Sequence, residues 1–426
     1  MKKRAQFFQI LMAASTAHAR WEYETSMNII RSKKRLLVLG LLCLPCVLFA
    51  VAFASDQLPG ILGGHKAYSP AFSTSGLLWV STVIGLMAGL ITGCIGAGGG
   101  FIITPALMSV GVKGILSVGT DLFHIFAKAI MGATIHKKLG NISAGLAIAF
   151  LVGSLAGVSC GGVLNRAIYE ISPVLSDFFI TLIYVFLLGF LGIYALLDFL
   201  KNRKAGAEVG AHTGESPNGI EAASGKKGLP ARLQSINFPP SITFDRDLVP
   251  GGKKISTWFV AICGFFVGMV AAIMGVGGGF LTFPMFVYVL GVSSFTTVGT
   301  DIFQIIFTAG YASIGQYAFY GFIFYSLAMG LLVGSLIGIQ IGALVTKVVK
   351  GIYIRGFYAT AILAGFLNRL FALPGKLGEM HIISISRPLS HALDQIGMWV
   401  FFIVIGIFAV WVISTFFKNI RRLREV

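Results

Sequence analysis

Charged residues are scarce in this chain. Of its 426 residues only 12% are Asp, Glu, Lys or Arg, whereas 56% are hydrophobic. A soluble globular domain carries about 25% charged residues, so the composition argues against one. Apolar runs of about 19 residues or more, the length that a helix needs to cross a bilayer, recur along the chain. They are Leu36–Ala54, Gly76–Ile95, Leu116–Ile135, Ile142–Leu164, Val174–Phe199, Ile255–Met274, Phe295–Tyr317, Phe322–Val345, Ile352–Leu373 and Ile396–Phe417. The sequence therefore predicts an all-α polytopic membrane protein.

Residue patterns typical of metal sites and of enzymes are also missing. The chain has five cysteines, and no group of His, Cys, Asp and Glu has the spacing of metal ligands. Cys43 and Cys46 have the spacing of a redox motif, but they lie inside an apolar run with no thioredoxin-like context. No phosphate-binding P-loop and no nucleophile–base pair is present. We therefore predict no cofactor, no metal and no enzymatic activity.

The net charge of +17 comes from Lys and Arg clusters in the segments between and beside the apolar runs. Cytoplasmic loops of membrane proteins carry such an excess of positive charge. A nucleic-acid partner is not expected, because no basic face interleaved with aromatic residues accompanies the charge. We predict a multi-pass protein of the cell inner membrane with its C-terminus in the cytoplasm.

The two halves of the chain repeat one another. "GGGF" at 98–101 returns at 277–280, and "VGTD" at 118–121 returns at 298–301, while "VGSLAG" at 152–157 returns as "VGSLIG" at 333–338. Each half holds five crossings if the short apolar pieces Phe101–Val112 and Phe280–Gly291 also cross. An odd number reverses the second half, so the sequence predicts two inverted-topology repeats and twelve crossings in all, a design typical of secondary transporters.

Five regions follow from this reading. They are an N-terminal extension with the first apolar helix at 1–75, repeat 1 at 76–200, a linker at 201–254, repeat 2 at 255–373, and an extracytoplasmic loop with a C-terminal helix and basic tail at 374–426. The linker is rich in Gly, Pro, Ser and charge, so we expect it to be cytoplasmic and partly disordered. The run Leu36–Ala54 is either a retained helix or a signal peptide cleaved after "AFA".

The glycine runs Gly98–Gly100 and Gly277–Gly279 predict a discontinuous helix in each repeat. Irregular backbone survives inside a membrane only when it is buried in protein or lines a wet cavity. Glycine permits positive φ, and the short helix that follows begins with unpaired N–H groups at the positive end of its dipole. Such a helix start suits an anion. The alternative is that these glycines only permit close helix packing.

The "GTD" motif brings polar groups into both halves. Asp121, His124 and Lys128 are spaced i, i+3, i+7 and therefore share one helix face, as do Asp301 and its partners three and seven residues later. Ionisable residues within a membrane usually face a cavity or one another, although each Asp at a helix start could instead be an N-cap. The candidate substrate-binding residues are Gly98, Gly99, Gly100, Phe101, Thr120, Asp121, His124, Lys128, Gly277, Gly278, Gly279, Phe280, Thr300, Asp301 and Gln304.

The segments "GAGGGFIITPAL", "SVGTDLF" and "HKKLGN", with "GVGGGFLTFPMF" and "TVGTDIF" in the second half, resemble the TauE/SafE sulfite exporter family of membrane permeases. The resemblance implies transport of a small inorganic or organosulfur anion such as sulfite or a sulfonate. The hypothesis is a secondary transporter working by alternating access, with a passive anion channel as the alternative. Coupling to protons or to sodium and the oligomeric state stay open.

Overall fold

The computed structural model describes residues 60–66, 75–95, 99–139, 143–205, 229–236, 238–245, 252–346, 348–349 and 351–419. The chain divides into two units, Met1–Gln57 and Leu58–Val426, and every described residue belongs to the second. The predicted helix Leu36–Ala54, the first residue of the glycine run, Gly98, and the last seven residues lie outside the described part.

The first half of this unit is a series of five helices after two short 3-10 turns. The helices are α1 Ser75–Ile95, α2 Gly100–Ser109, α3 Gly114–Leu139, α4 Ala144–Ile171 and α5 Pro173–Ala205. The second half repeats the series as α7 Thr257–Met274, α8 Gly279–Pro284, α9 Ser294–Gly310, α10 Tyr325–Val345 and α11 Gly351–Glu379, and α12 Arg387–Lys418 follows. The all-α polytopic class is confirmed.

The two predicted half-length helices are present, each directly after its glycines. The first, α2, has 10 residues. The second, α8, has 6 residues and continues as a 6-residue π-helix, Met285–Leu290, with Pro284 at the junction. Proline donates no N–H, so the hydrogen-bond ladder has to change there. At about 1.5 Å per residue, neither element spans a hydrocarbon core of about 30 Å by itself.

Seven helices in the described part are long and apolar enough to cross a membrane, namely α1, α4, α5, α7, α10, α11 and α12. The first and fourth helices of opposite halves pack with their backbones in contact. A Cβ added to Gly89 of α1 would lie 2.7 Å from the Cα of Ser335 in α10, and one added to Gly268 of α7 would lie 2.8 Å from the Cα of Ser154 in α4. Small residues permit such close approach of membrane helices. The pairs α1–α10 and α4–α7 therefore link the two halves, whereas the inverted orientation and the twelve crossings stay predictions.

The carboxylates Asp121 and Asp301 were predicted to lie at helix starts, but both lie inside helices. Helix α3 begins at Gly114 and α9 at Ser294, so each Asp lies two turns inside its helix. The N-cap of α9 is Ser293, whose side chain accepts a hydrogen bond from the N–H of Thr296. The capping alternative is therefore wrong for both carboxylates.

Part of the segment predicted as a partly disordered linker forms regular secondary structure, and so does most of the predicted loop at 374–395. Within 201–254, α5 continues to Ala205, α6 forms at Leu229–Ser235, and β1 Ser241–Phe244 pairs antiparallel with β2 Lys253–Ser256. Phe244 and Ile255 of this hairpin are buried in one hydrophobic cluster with residues of α4 and α7. The predicted loop at 374–395 is mostly helix, because α11 ends only at Glu379 and α12 begins at Arg387.

Candidate functional site

The two helix breaks meet inside the protein. Gly99 and Gly278 precede α2 and α8 with φ of 73° and 92°, values that glycine adopts without penalty. The rings of Phe101 and Phe280, which follow the glycine runs, stack with centroids 4.9 Å apart and an interplanar angle of 20°. Both rings are fully buried. The starts of the two short helices therefore face one another in the core.

Most of the described glycines at the breaks are closely packed. A Cβ added to Gly100 would lie 2.8 Å from the Cα of Val276, and one added to Gly277 would lie 2.6 Å from Cγ2 of Ile125. A Cβ on Gly99 would meet the hydroxyl of Thr92. These positions fit the packing alternative, because even an added methyl group would meet neighbouring atoms there.

Gly278 is different. A Cβ added there would make only ordinary contacts, 3.5 Å from Thr282 Oγ1, 3.6 Å from Val267 Cγ1 and 3.8 Å from Gln304 Nε2. The first hydrogen bonds of α8 are donated by the N–H groups of Leu281 and Thr282 to the Gly278 carbonyl, so the N–H groups of residues 279 and 280 precede them. Room for one methyl group, amide donors and a side-chain N–H therefore occur together at the second break.

The first half contributes a buried group of charged and polar side chains. Asp121 Oδ2 accepts a hydrogen bond of 3.0 Å from the hydroxyl of Thr104 in α2, and Asp121 Oδ1 lies 3.5 Å from His124 Nδ1. His124 Nε2 is 2.8 Å from the hydroxyl of Ser335 in α10. Lys128 stands one turn further along the same helix, on the face that carries Asp121 and His124. The predicted face of α3 is thus a real cluster, and it reaches into the other half of the chain through Ser335.

The second half holds an equivalent group without a cationic side chain. Asp301 Oδ1 accepts a hydrogen bond of 2.9 Å from Gln304 Nε2, and Gln304 Oε1 accepts one of 2.7 Å from the hydroxyl of Thr308. Thr308 in turn contacts the hydroxyl of Ser154 in α4 at 3.0 Å. The carboxylate lies beside the start of α8, since Asp301 Oδ2 would be 3.1 Å from a Cβ on Gly279.

The hydroxyls of Thr120 and Thr300 have structural partners. The N–H of Phe324 donates to Thr120 Oγ1 at 2.9 Å, and the N–H of Ser143 donates to Thr300 Oγ1 at 3.0 Å. Ser143 and Phe324 are the N-cap residues of α4 and α10, so each threonine satisfies the backbone at the start of a helix from the other half.

Several buried polar residues around the site were not predicted. Ser154 and Ser335 stand at the same place in the repeated "VGSLAG" and "VGSLIG" segments, a signal that could have indicated them. Two buried arginines were also missed. Arg166 donates to the carbonyl and the side chain of Gln316, and Arg369 donates to the hydroxyl of Ser109 at the end of α2. No sequence repeat relates these arginines, so only the fold reveals their surroundings.

Comparison with known proteins gives two matches. The model of the family described as sulfite exporter TauE/SafE matches residues 81–368, which include both glycine runs and both "GTD" motifs. The chain is 24% identical over 273 residues to the probable membrane transporter protein YjnA of Bacillus subtilis (strain 168). This match covers 61% of the chain and 87% of that protein. No solved structure matches the chain.

Proposed function

The chain belongs to the sulfite exporter TauE/SafE family, and we propose that it moves a small sulfur oxyanion across the inner membrane by alternating access. Membership and the apolar helices make it a multi-pass membrane transporter. Sulfite and small sulfonates are the proposed substrate class. The cytoplasmic C-terminus predicted from the charge distribution belongs to the same proposal.

The observation that carries the proposal is the start of α8 at Gly278, where an added methyl group would make only ordinary contacts and the first N–H groups of the helix follow. A substrate oxygen there would meet the N–H groups of Gly279 and Phe280 and, on one side, the side chain of Gln304. Backbone N–H groups at a helix start attract anions without needing a positive side chain. Phe101 of the first break stacks on Phe280 at this helix start.

The carboxylates beside the breaks control when an anion can bind. Asp301 lies next to the start of α8, where its negative charge repels an oxyanion. Asp121 in the first half is held by Thr104 and is balanced by Lys128. An anion therefore enters the second half favourably only when the Asp301 charge is neutralised, which gives the transporter a means of coupling.

The membrane potential sets the energy of the transport step. One unit charge crossing 100 mV is worth about 2.3 kcal/mol, so a divalent anion leaves a negative interior downhill by roughly 4.6 kcal/mol. Export needs no further energy source, whereas uptake needs a coupled cation. This difference makes the direction measurable by imposing a potential.

Reconstitution in liposomes tests the proposal. Labelled sulfite, sulfate and sulfoacetate are supplied under imposed potential, pH and sodium gradients, and flux is followed with and without unlabelled anion on the far side. A transporter shows saturable flux that is stimulated by counterflow. A flux above about a million ions per second per protein molecule, with no stimulation by counterflow, would make the protein a channel. A transporter has to change conformation in each cycle, and such changes take microseconds to milliseconds. No flux of any of the three anions would reject the proposed substrate class.

A further inference from the structure

The two halves of the site differ in charge at one equivalent position. Three residues after each carboxylate stand His124 and Gln304, and seven residues after it stand Lys128 and Thr308. Lys128 therefore brings a positive charge to the helix face that carries Asp121, whereas Thr308 brings a hydroxyl to the face that carries Asp301. In the described part of the chain, no cationic side chain lies within ion-pair distance of Asp301. The first half thus has its own cation, and the second half has an oxygen atom in its place.

The carboxylate of Asp301 is in a costly environment. The residue is only 7% exposed, and its partners are the neutral donors Gln304 and Thr282. An ionised carboxylate in apolar surroundings is unfavourable unless a positive charge or full hydrogen bonding compensates it. The start of α8 supplies part of this compensation through its dipole. A positive charge beside Asp301 is still required if the second half is to match the charge balance of the first, where Lys128 shares a helix face with Asp121.

The side chains around Asp301 are oxygen donors. Gln304 Oε1, Thr308 Oγ1 and Ser154 Oγ follow one another at 2.7 and 3.0 Å, and all three residues are buried. Carboxylate, amide and hydroxyl oxygens are the ligands of hard cations, whereas no group of His, Cys, Asp and Glu in the described residues could hold a transition metal. The hydroxyl protons can rotate away from an ion, because each oxygen also has free acceptor capacity.

We propose that Asp301, Gln304, Thr308 and Ser154 form a sodium site, at the position where Lys128 stands in the first half. A monovalent ion balances the single carboxylate, whereas a divalent ion would leave an excess positive charge in apolar surroundings. The ligands come from both halves of the chain, since Ser154 lies on α4 and the others on α9. The role of sodium in allowing the anion to bind rests on the proposed function. The sodium site itself does not depend on that function.

The test measures sodium binding without any transport. The purified full chain is melted in detergent in equal concentrations of NaCl, KCl and choline chloride. Sodium at about a hundred times its dissociation constant should raise the midpoint by roughly 3 °C over choline. Asp301→Asn and Ser154→Ala should lose this rise. Thr308→Lys supplies a tethered ammonium like that of Lys128, so it should lose the rise while remaining as stable in choline as in sodium. The matched control Asp121→Asn should keep it.

Four results would overturn the sodium site. The first is a melting midpoint that is the same in all three salts, and the second is a midpoint that rises as much in potassium as in sodium. The third is a midpoint that changes with pH but not with sodium. The fourth is a rise that Asp121→Asn abolishes as completely as Asp301→Asn does. If Asp301→Asn does not fold, Thr308→Lys and Ser154→Ala decide. Sulfite flux in liposomes separates this inference from the proposed function, because flux without a sodium-dependent rise rejects only the site. A rise without flux rejects only the proposed function.

Discussion

Replacing Gly278 with alanine tests whether the space at the second break is used. Its φ of 92° is one that L residues rarely adopt. The added methyl group would lie 3.5 Å from Thr282 Oγ1 and 3.6 Å from Val267 Cγ1, so it fits without a clash. It would nevertheless stand beside the first N–H groups of α8, where we propose that the oxyanion binds. The substitution therefore blocks binding while leaving the packing intact.

The cost in stability can be matched by a control. A positive φ costs a residue with a Cβ roughly 1–2 kcal/mol, which lowers the melting midpoint by about 1–2 °C in a chain of 426 residues. Gly111, in the turn between α2 and α3, has the same φ of 92°, and nothing lies within 4 Å of its Cβ position. Gly111→Ala therefore carries the same backbone strain without touching the site.

The assay is sulfite flux per folded molecule in liposomes, with the folded fraction measured by thermal unfolding. Both variants should melt earlier by a similar amount. Gly278→Ala should transport at least about tenfold more slowly, equivalent to about 1.4 kcal/mol, while Gly111→Ala keeps the parental rate. Equal flux in the two variants would show that the anion does not approach α8 at Gly278, and the proposed binding position would have to be abandoned.

Three further predictions concern the surroundings of the site. Ser335→Ala leaves His124 Nε2 without its 2.8 Å partner, so it should lower the free energy of unfolding by about 1–3 kcal/mol in chemical denaturation, and an unchanged value would refute the contact. A double-mutant cycle of Phe101→Leu and Phe280→Leu should give a coupling of about 0.5–1.5 kcal/mol for the stacked rings, and strict additivity would contradict it. Thr120→Val and Thr300→Val should each destabilise by about 1 kcal/mol with the KM for sulfite unchanged, because their hydroxyls serve helix starts, whereas a raised KM would place them on the substrate.

The membrane class and the helix breaks could be predicted because local rules decide them. Apolar length indicates a crossing helix, and three glycines before a short apolar piece indicate a break. The structure agrees at α2 and α8, where Gly99 and Gly278 both have positive φ. The spacing of Asp121, His124 and Lys128 likewise predicted a shared face, because one helix sets the separation of residues three and seven apart.

Contacts between distant helices could not be predicted in the same way. The partners of Thr120 and Thr300 are backbone N–H groups 204 and 157 residues away, and no local pattern indicates such a separation. The N-cap alternative for Asp121 failed because α3 begins earlier, at Gly114, and glycine is a poor signal for a helix start. Within 201–254, composition suggested disorder, yet the hairpin buries Phe244 and Ile255 against the membrane helices. These contacts depend on how distant segments pack together, and the local sequence carries no signal of them.

The exchange of partners between the halves has a consequence for movement. Ser335 belongs to the second half but contacts His124 of the first, and Ser154 belongs to the first half but contacts Thr308 of the second. Each serine lies on a helix held against its partner by glycine contacts at backbone distance, so the pairs α1–α10 and α4–α7 resist internal sliding. A displacement of either pair therefore moves one side chain of the opposite site. Movement of the α1–α10 pair would change the surroundings of His124, and movement of the α4–α7 pair would change those of Thr308.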